Sequence, residues 1–400
     1  RQVASMMGKP DYVPPLAAQI HVHAMTVAKA DPDRFLHTDG KYCSAVQVNV
    51  QKWYGFEQPL AIAPEAYNYE VEALGGELLH SANHMSSINH SNPLIKKPED
   101  IDEIKVPIER EWGRIPYVID SMNGLKELTG TCSSGAFCGP FSFLCGIHSY
   151  TGLIRDIRKN PDFVHQLYKW AIDEVLIPYV RLLKDETGYT DFFGADAWSA
   201  VPNTNKKILE EFVFPYNAYL KEQAEKEGIS MSVAASADYC EEDPNRFDHD
   251  LMKYCWRKMG EEFFGRTFLM MGMGKPELWP MDLMKEYLAE NKTRSWTPPV
   301  MAGCSASYMR DASPTEIAEY VKRVIDNLGR DGRISFFGIQ IPADTPPENV
   351  HTFIQAVKTY GVYPIAENLD DVELKIPPDF EPYQDWFRKE VAAGRLAEYE

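Results

Sequence analysis

Basic residues are in short supply: 41 Lys and Arg stand against 59 Asp and Glu, a formal charge of −18. Such a surface repels phosphate backbones and anionic headgroups, which excludes nucleic acid and membrane surfaces as main partners. Long apolar runs are missing as well. No stretch approaches the roughly 18 consecutive apolar residues that cross a bilayer, and the opening Arg1-Gln2-Val3-Ala4-Ser5-Met6-Met7 lacks a secretion-signal layout. The chain opens on Arg1 rather than Met, so a few leading residues are expected to be missing. Paired cysteines are absent too. The seven thiols at 43, 132, 138, 145, 240, 255 and 304 form no CxxC, and an odd, scattered set is not a disulfide framework. A reducing, cytoplasmic location is expected, with cysteine as core filler or ligand. No GxGxxG or GxxxxGK[ST] opens a helix after a strand, which removes the dinucleotide and P-loop signatures. Nor does any linker, low-complexity tract or repeat divide residues 1–400, so a single domain is expected.

What the chain does have is alternation. Short apolar or β-branched runs alternate with longer segments of helical period, the pattern of βα units around a parallel sheet. Eight strands are predicted, over 16–22, 76–80, 128–136, 190–195, 229–235, 266–271, 299–304 and 334–339. Helix starts are marked by capping chemistry. Ser313-Pro314-Thr315-Glu316 sets an N-cap hydroxyl, a first-turn proline and a returning carboxylate ahead of Ile317, Val321, Val324, Ile325 and Leu328, and Thr345-Pro346-Pro347-Glu348 repeats the pattern. The irregular stretches 84–112 and 239–250 are the expected insertions.

Four segments carry a family resemblance. Gly338-Ile339-Gln340-Ile341-Pro342-Ala343-Asp344-Thr345-Pro346-Pro347-Glu348-Asn349 resembles the last strand and helix start of the uroporphyrinogen-decarboxylase superfamily. Cys138-Gly139-Pro140-Phe141-Ser142 resembles its Gly-Pro-Phe-Thr turn, Asp196-Ala197-Trp198-Ser199 its Asp-x-Trp segment, and Glu211-Phe212-Val213-Phe214-Pro215-Tyr216 its Glu-Phe-x-x-Pro-Tyr. The resemblance implies an α/β fold, a (β/α)₈ TIM barrel, often a homodimer. Departures narrow the activity. The first strand ends in Gln19-Ile20-His21-Val22-His23-Ala24, where the porphyrin decarboxylases carry an arginine-rich loop. Ala234-Ala235-Ser236 and Gln340 stand where the coenzyme M methyltransferases place their thiol and imidazole zinc ligands. The chain is most similar to a third branch, the corrinoid-dependent O-demethylase methyltransferases. These take a methyl group from an ether, commonly a methoxylated aromatic, and pass it to Co(I) on a separate corrinoid protein. A decarboxylase of a carboxylated cyclic substrate is the alternative, and a non-catalytic binding barrel is a third reading.

Ether cleavage of this kind calls for a proton donor or Lewis acid at the ether oxygen, an aromatic pocket and an open mouth. Candidates are expected at strand ends, where barrel enzymes place their chemistry. Cys304 and Glu277 form a candidate zinc pair, against the plainer readings of a buried thiol and a solvated loop acid. Asp196, Asp238 and Tyr308 are the candidate catalytic acids. His21 and His23, read two apart on a strand and therefore facing one side, join Trp198, Met273 and His84 as substrate-binding candidates. His84 belongs to a run with His80 and His90 that also reads as a polar loop, and Met270-Met271-Gly272-Met273 also reads as core.

Overall fold

The computed structural model describes residues 11–65, 68–81, 84–130, 135–374 and 380–396. Nine strands occur among them. They are β1 (Pro15–Ala18), β2 (Leu78–Leu79), β3 (Ser87–Ile88), β4 (Gly135–Cys138), β5 (Asp191–Ala195), β6 (Ser230–Ala234), β7 (Leu269–Met270), β8 (Val300–Ala302) and β9 (Ile334–Gly338). Seven of them pair in parallel as two arcs, β4-β5-β6 and β1-β9-β8-β7. Helices follow the strands and cover both arcs, giving the (β/α)₈ barrel architecture. Because a barrel strand is buried on the lumen side and on the helix side, sequences such as Ile334-Ser335-Phe336-Phe337-Gly338 are apolar almost throughout. One cluster of buried residues runs from Val13 to Tyr383.

The eighth barrel position is where the sequence reading fails. Residues 76–80 do not form a barrel strand; Leu78–Leu79 pairs antiparallel with Ser87–Ile88 as a small hairpin. The vacant place beside β1 is taken by 57–63, which starts as a ladder through Glu57 N–H to Pro15 O (2.9 Å) and Gln58 N–H to Leu16 O (2.7 Å). Pro59 then removes a donor, and a regular ladder stops. Side chains of the helix Gly40–Tyr54 replace it. The Gln51 Oε1 accepts from Ala18 N–H at 2.9 Å, its Nε2 donates to Leu60 O at 2.5 Å, and Gln47 Nε2 donates to Ile62 O at 2.9 Å. On the far side, Glu70 accepts from Cys138 N–H at 2.8 Å. A cavity of about 30 Å³ lined by Ala61, Ala63, Tyr69, Gly135 and Tyr179 marks this seam; it has room for about one water and lies outside the chemistry below.

Of the two capping devices read from the sequence, one forms. Ser313 Oγ accepts from Glu316 N–H and the Glu316 carboxylate returns to Ser313, so Pro314–Leu328 begins as read. The second device does not form. Pro347–Tyr360 has Pro346 at its N-cap with no side-chain cap, and the Thr345 hydroxyl is buried without a partner among the described residues. Two long helices carry π-turns, Ala171–Leu176 and Leu209–Val213, each just ahead of a proline, Pro178 and Pro215. Proline lacks the N–H that would continue the ladder, and the backbone absorbs the loss in a wider turn.

Candidate active site

Acidic side chains gather at the carboxyl ends of β4, β5 and β6. Asp196 follows β5 directly and is fully buried. Its Oδ1 accepts from Ser142 N–H at 2.7 Å and its Oδ2 from Ser236 Oγ at 3.4 Å, while Ser236 in turn accepts from Asn217 Nδ2 at 2.9 Å. Ser142 lies in the first turn of the helix Pro140–His148, whose N-cap, Gly139, has no side chain to offer. Asp196 therefore supplies the cap that its own neighbour cannot. A Cβ on Gly139 would lie 2.6 Å from the Asp196 Cβ, so only glycine lets the two come together. Burial pushes the Asp196 carboxyl up to about 6, against the pull of these hydrogen bonds. Both oxygens are committed, which makes Asp196 a positioning group more than a free acid.

Asp238 differs in that respect. It lies just beyond β6, after Ala235 and Ala237, which hold φ values of 65° and 62°. Left-handed backbone costs an L-residue roughly 1 kcal/mol and concentrates at functional sites. Bonds from Val201 N–H to Asp238 O (2.8 Å) and from Cys240 N–H to Val201 O (2.6 Å) pin the turn. Asp238 Oδ1 accepts from Tyr239 N–H at 2.8 Å, but Oδ2 is buried with no partner among the described residues. Burial pushes this carboxyl up to about 7, against the pull of the Tyr239 N–H and of the Cys240 thiol beside it. Glu70 is a third buried acid, raised to about 7 by burial, with Oε2 unpartnered among the described residues. The sequence reading passed over it, and the one available signal was an acid set between Tyr69 and Val71.

The aromatic side of the mouth is built on the same serine. Trp198 N–H donates to Ser142 Oγ at 3.0 Å. The Trp198 ring meets Tyr150 at 5.6 Å and His90 at 5.7 Å between centroids. His84 is exposed between β2 and β3.

The histidine pair is corrected by the fold. Strand β1 stops at Ala18, and residues 21–28 are helical. On a helix, positions two apart point about 200° from each other, so His21 and His23 do not share a side. His23 is buried with Nδ1 3.1 Å from Pro342 O and Nε2 2.7 Å from the Tyr54 hydroxyl, a structural tie between the helix His21–Ala28, the end of the helix Gly40–Tyr54 and the loop after β9. His21 keeps φ at 30° and a buried Nδ1 that has no partner among the described residues. Burial pushes both rings down to about 4, so both are neutral near pH 7.

On the other arc, Cys304 lies two residues past β8 rather than ending it, and is 3% exposed. Burial, with Glu277 nearby, drives its thiol far above the ordinary range. Glu277 spends both oxygens on Ser305, accepting from N–H at 3.1 Å and from Oγ at 2.7 Å. Tyr308 donates its hydroxyl to Glu316 O at 3.1 Å, and burial raises it to about 12, so it is not poised as an acid at neutral pH. Among the described residues no group of three or more His, Cys, Asp or Glu is placed to hold a metal ion. A catalytic zinc uses three protein ligands; the Glu277 and Cys304 pair as it stands does not fit one. Met273 is half-buried after β7, where Gly272 packs so closely on Ile339 that a Cβ would lie 1.5 Å from its Cδ1.

Similarity to known proteins agrees with the barrel. The family model described as uroporphyrinogen decarboxylase (URO-D) matches residues 6–238. A uroporphyrinogen decarboxylase from Anaeromyxobacter dehalogenans (strain 2CP-C) is 23% identical over 279 residues, 68% of this chain and 70% of that protein. A solved methyltransferase from Methanosarcina mazei superposes with a TM-score of 0.66 at 17% identity, covering 89% of this chain and 97% of the other. At that identity the likeness speaks for the fold.

Proposed function

The chain belongs to the uroporphyrinogen decarboxylase family, and on that footing we propose that it moves a methyl group from a methyl ether to the Co(I) corrinoid of a separate corrinoid protein. A methoxylated aromatic is the favoured donor. The observation that carries this reading is Asp238, a buried carboxyl with one oxygen unpartnered among the described residues, which burial raises to about 7 so that a large share holds its proton near neutral pH.

When the methyl carbon is attacked, the C–O bond breaks and its electron pair stays on oxygen. A proton delivered to that oxygen turns a poor leaving group into a neutral phenol, a contribution of about 10²–10⁴ in rate. Asp238 Oδ2 is the group here that delivers it, and the resulting carboxylate regains a proton from water. The cobalt nucleophile arrives with the partner. Asp196, Ser142 and Ser236 hold the floor and the Trp198 wall in register. Assembly as a homodimer forms part of the same reading.

A lyase remains the second reading, favoured by the 23% identical decarboxylase and disfavoured by the absence of arginine from Gln19 to Ala24. Both are tested together. The protein is mixed with a methoxylated benzene and a Co(I) corrinoid protein, and phenol release is followed with the loss of Co(I) absorbance. Equal amounts of both products, with Asp238→Asn slower by about 10²–10⁴, are expected. No phenol from the wild type, or an unimpaired Asp238→Asn, refutes the reading; carbon dioxide from a carboxylated cyclic acid favours the lyase.

A further inference from the structure

We infer that the β2–β3 hairpin is an acid-released strap on the aromatic side of the mouth, latched by a neutral His37 against Arg114. The strap is independent of which reaction the mouth carries out. Its far end reaches the mouth. The His90 ring meets Trp198 at 5.7 Å, and Ile88 packs so closely on the helix Pro140–His148 that a Cβ on Gly146 would lie 3.1 Å from its Cδ1. Its near end is tied to a hub of charged side chains around Arg114.

Arg114 stands at the N-cap of the helix Ile115–Thr129 and reaches four groups. It donates to Glu65 Oε2 at 2.5 Å, Glu72 Oε2 at 2.8 Å, Leu36 O at 3.1 Å and His37 Nδ1 at 3.2 Å. A guanidinium can only donate, so His37 Nδ1 accepts and the ring proton sits on Nε2. The hairpin hangs on two of these partners. Ser86 N–H donates to the other Glu65 oxygen at 2.7 Å; His80, whose Nδ1 lies 2.9 Å from Ser86 Oγ, meets the His37 ring edge-on at 5.9 Å between centroids. Asn68 Nδ2, donating to Ser86 O at 2.7 Å, is an uncharged third tie.

A second proton on His37 has no place in this arrangement. Nδ1 would become a donor facing a donor, and a cation would face the Arg114 guanidinium across 3.2 Å. Burial first, and Arg114 next, hold the half-buried ring below its ordinary value of 6.5; His80 adds to them, while Glu65 and Asp33 oppose. Glu72 and the Tyr69 ring complete the surroundings of Arg114. A protonated His37 is pushed off Arg114 and drawn toward Glu65, the carboxylate that holds Ser86, so the latch and the hairpin anchor give way together. Opening takes up a proton. It is therefore favoured as pH falls below 6.5, by up to roughly tenfold per pH unit until the closed ring is itself protonated.

The test is amide hydrogen exchange of the full chain from pH 7.5 to pH 5.0, read as protection relative to the intrinsic rate at each pH. The Ser86 and Asn89 amides, bonded to Glu65 and to Glu77 O, are expected to lose protection by up to roughly tenfold per pH unit below 6.5. The helix Pro314–Leu328 should keep its protection over the same range. His37→Gln retains an acceptor for Arg114 and takes no proton, so its hairpin should stay protected throughout. Ring nitrogen spectra of the wild type with isotope-labelled histidine should show His37 protonated on Nε2 alone at pH 7.5 and titrating as the hairpin loses protection; they keep the test decisive if the variant fails to fold. Hairpin protection that does not change with pH, a pH dependence that survives in His37→Gln, or a neutral His37 carrying its proton on Nδ1 overturns the strap.

Discussion

Replacing Asp238 with Asn keeps the shape of a buried side chain and removes its titration, so it isolates what burial of this one carboxyl costs. The ordinary aspartate value is 3.8 and the folded value is about 7. An acid raised in this way binds its proton more tightly when folded, so its contribution favours folding at low pH. That contribution is lost as pH rises from the unfolded value through the folded one, after which the loss is complete. At ~1.36 kcal/mol per pH decade, the part lost between pH 5 and about 7 is about 3 kcal/mol, a ceiling because water and relaxation soften buried charges. Asn carries no such dependence. The stability difference between Asp238→Asn and wild type should therefore shift toward the variant by up to about 3 kcal/mol between pH 5 and pH 8, read from urea unfolding at each pH. Glu70 and Asp196 titrate in the same window in both proteins and cancel in the difference. The neighbouring groups that face Asp238, Cys240 from the same turn and Cys255 from the helix His249–Phe264, are thiols pushed up by burial and stay neutral throughout. A difference that stays flat from pH 5 to pH 8 would refute the claim that Asp238 is held protonated by burial, and with it the proton-donor role.

Four other outcomes follow from the geometry. Gln51→Leu should destabilise the protein by about 2–4 kcal/mol in thermal or urea melts, because it leaves Ala18 N–H and Leu60 O buried and unpaired; a near-neutral result would mean that water fills the seam. Gly40→Ala should give little folded protein, since its Cβ would stand 2.1 Å from Tyr117 O and 2.5 Å from Ser121 N, backbone atoms that cannot step aside; normal expression and melting would contradict the tight crossing of these helices. Ala235→Gly should raise the melting temperature, relieving up to about 1 kcal/mol of left-handed strain, while slowing turnover if that turn aims Asp238; unchanged stability would argue against strain there. Cys304→Ala should leave metal content by mass spectrometry as in the wild type, given that Glu277 is committed to Ser305; a zinc lost with the thiol would restore the metal reading.

What the sequence made legible divides along a physical line. Seven of the eight barrel positions could be read, at least in part, because a strand buried on both faces must be apolar, and β5, β6, β8 and β9 all lie inside their predicted ranges. The segment 57–63 could not be read, because Gln58-Pro59-Leu60-Ala61-Ile62-Ala63-Pro64 is short, interrupted by proline and held by glutamines from a neighbouring helix. Side-chain substitutes for a backbone ladder leave no periodic trace. The same kind of information was missing at 21–23, where apolar spacing allows strand and helix alike and a hydrogen bond across 319 positions, from His23 to Pro342, fixes the result.

For the site, residue type and strand-end position were enough to bring Asp196, Asp238 and Trp198 forward, but not to rank them. Ranking depends on which oxygens are already taken. Asp196 and Glu277 look like good acids in the sequence and are spent in the fold, one on a helix N-terminus and the other on Ser305. Asp238 and Glu70 each keep an oxygen that nothing described satisfies. Leaving a buried carboxyl oxygen unpaired costs free energy that folding has to offset elsewhere. Glu70 also closes a seam by accepting from Cys138 N–H, which accounts for its presence structurally. Asp238 interacts only with its own turn, accepting from the Tyr239 backbone with the Cys240 thiol beside it, and two strained alanines hold it there. An arrangement that costs stability twice and closes no seam is best explained by the proton it can give.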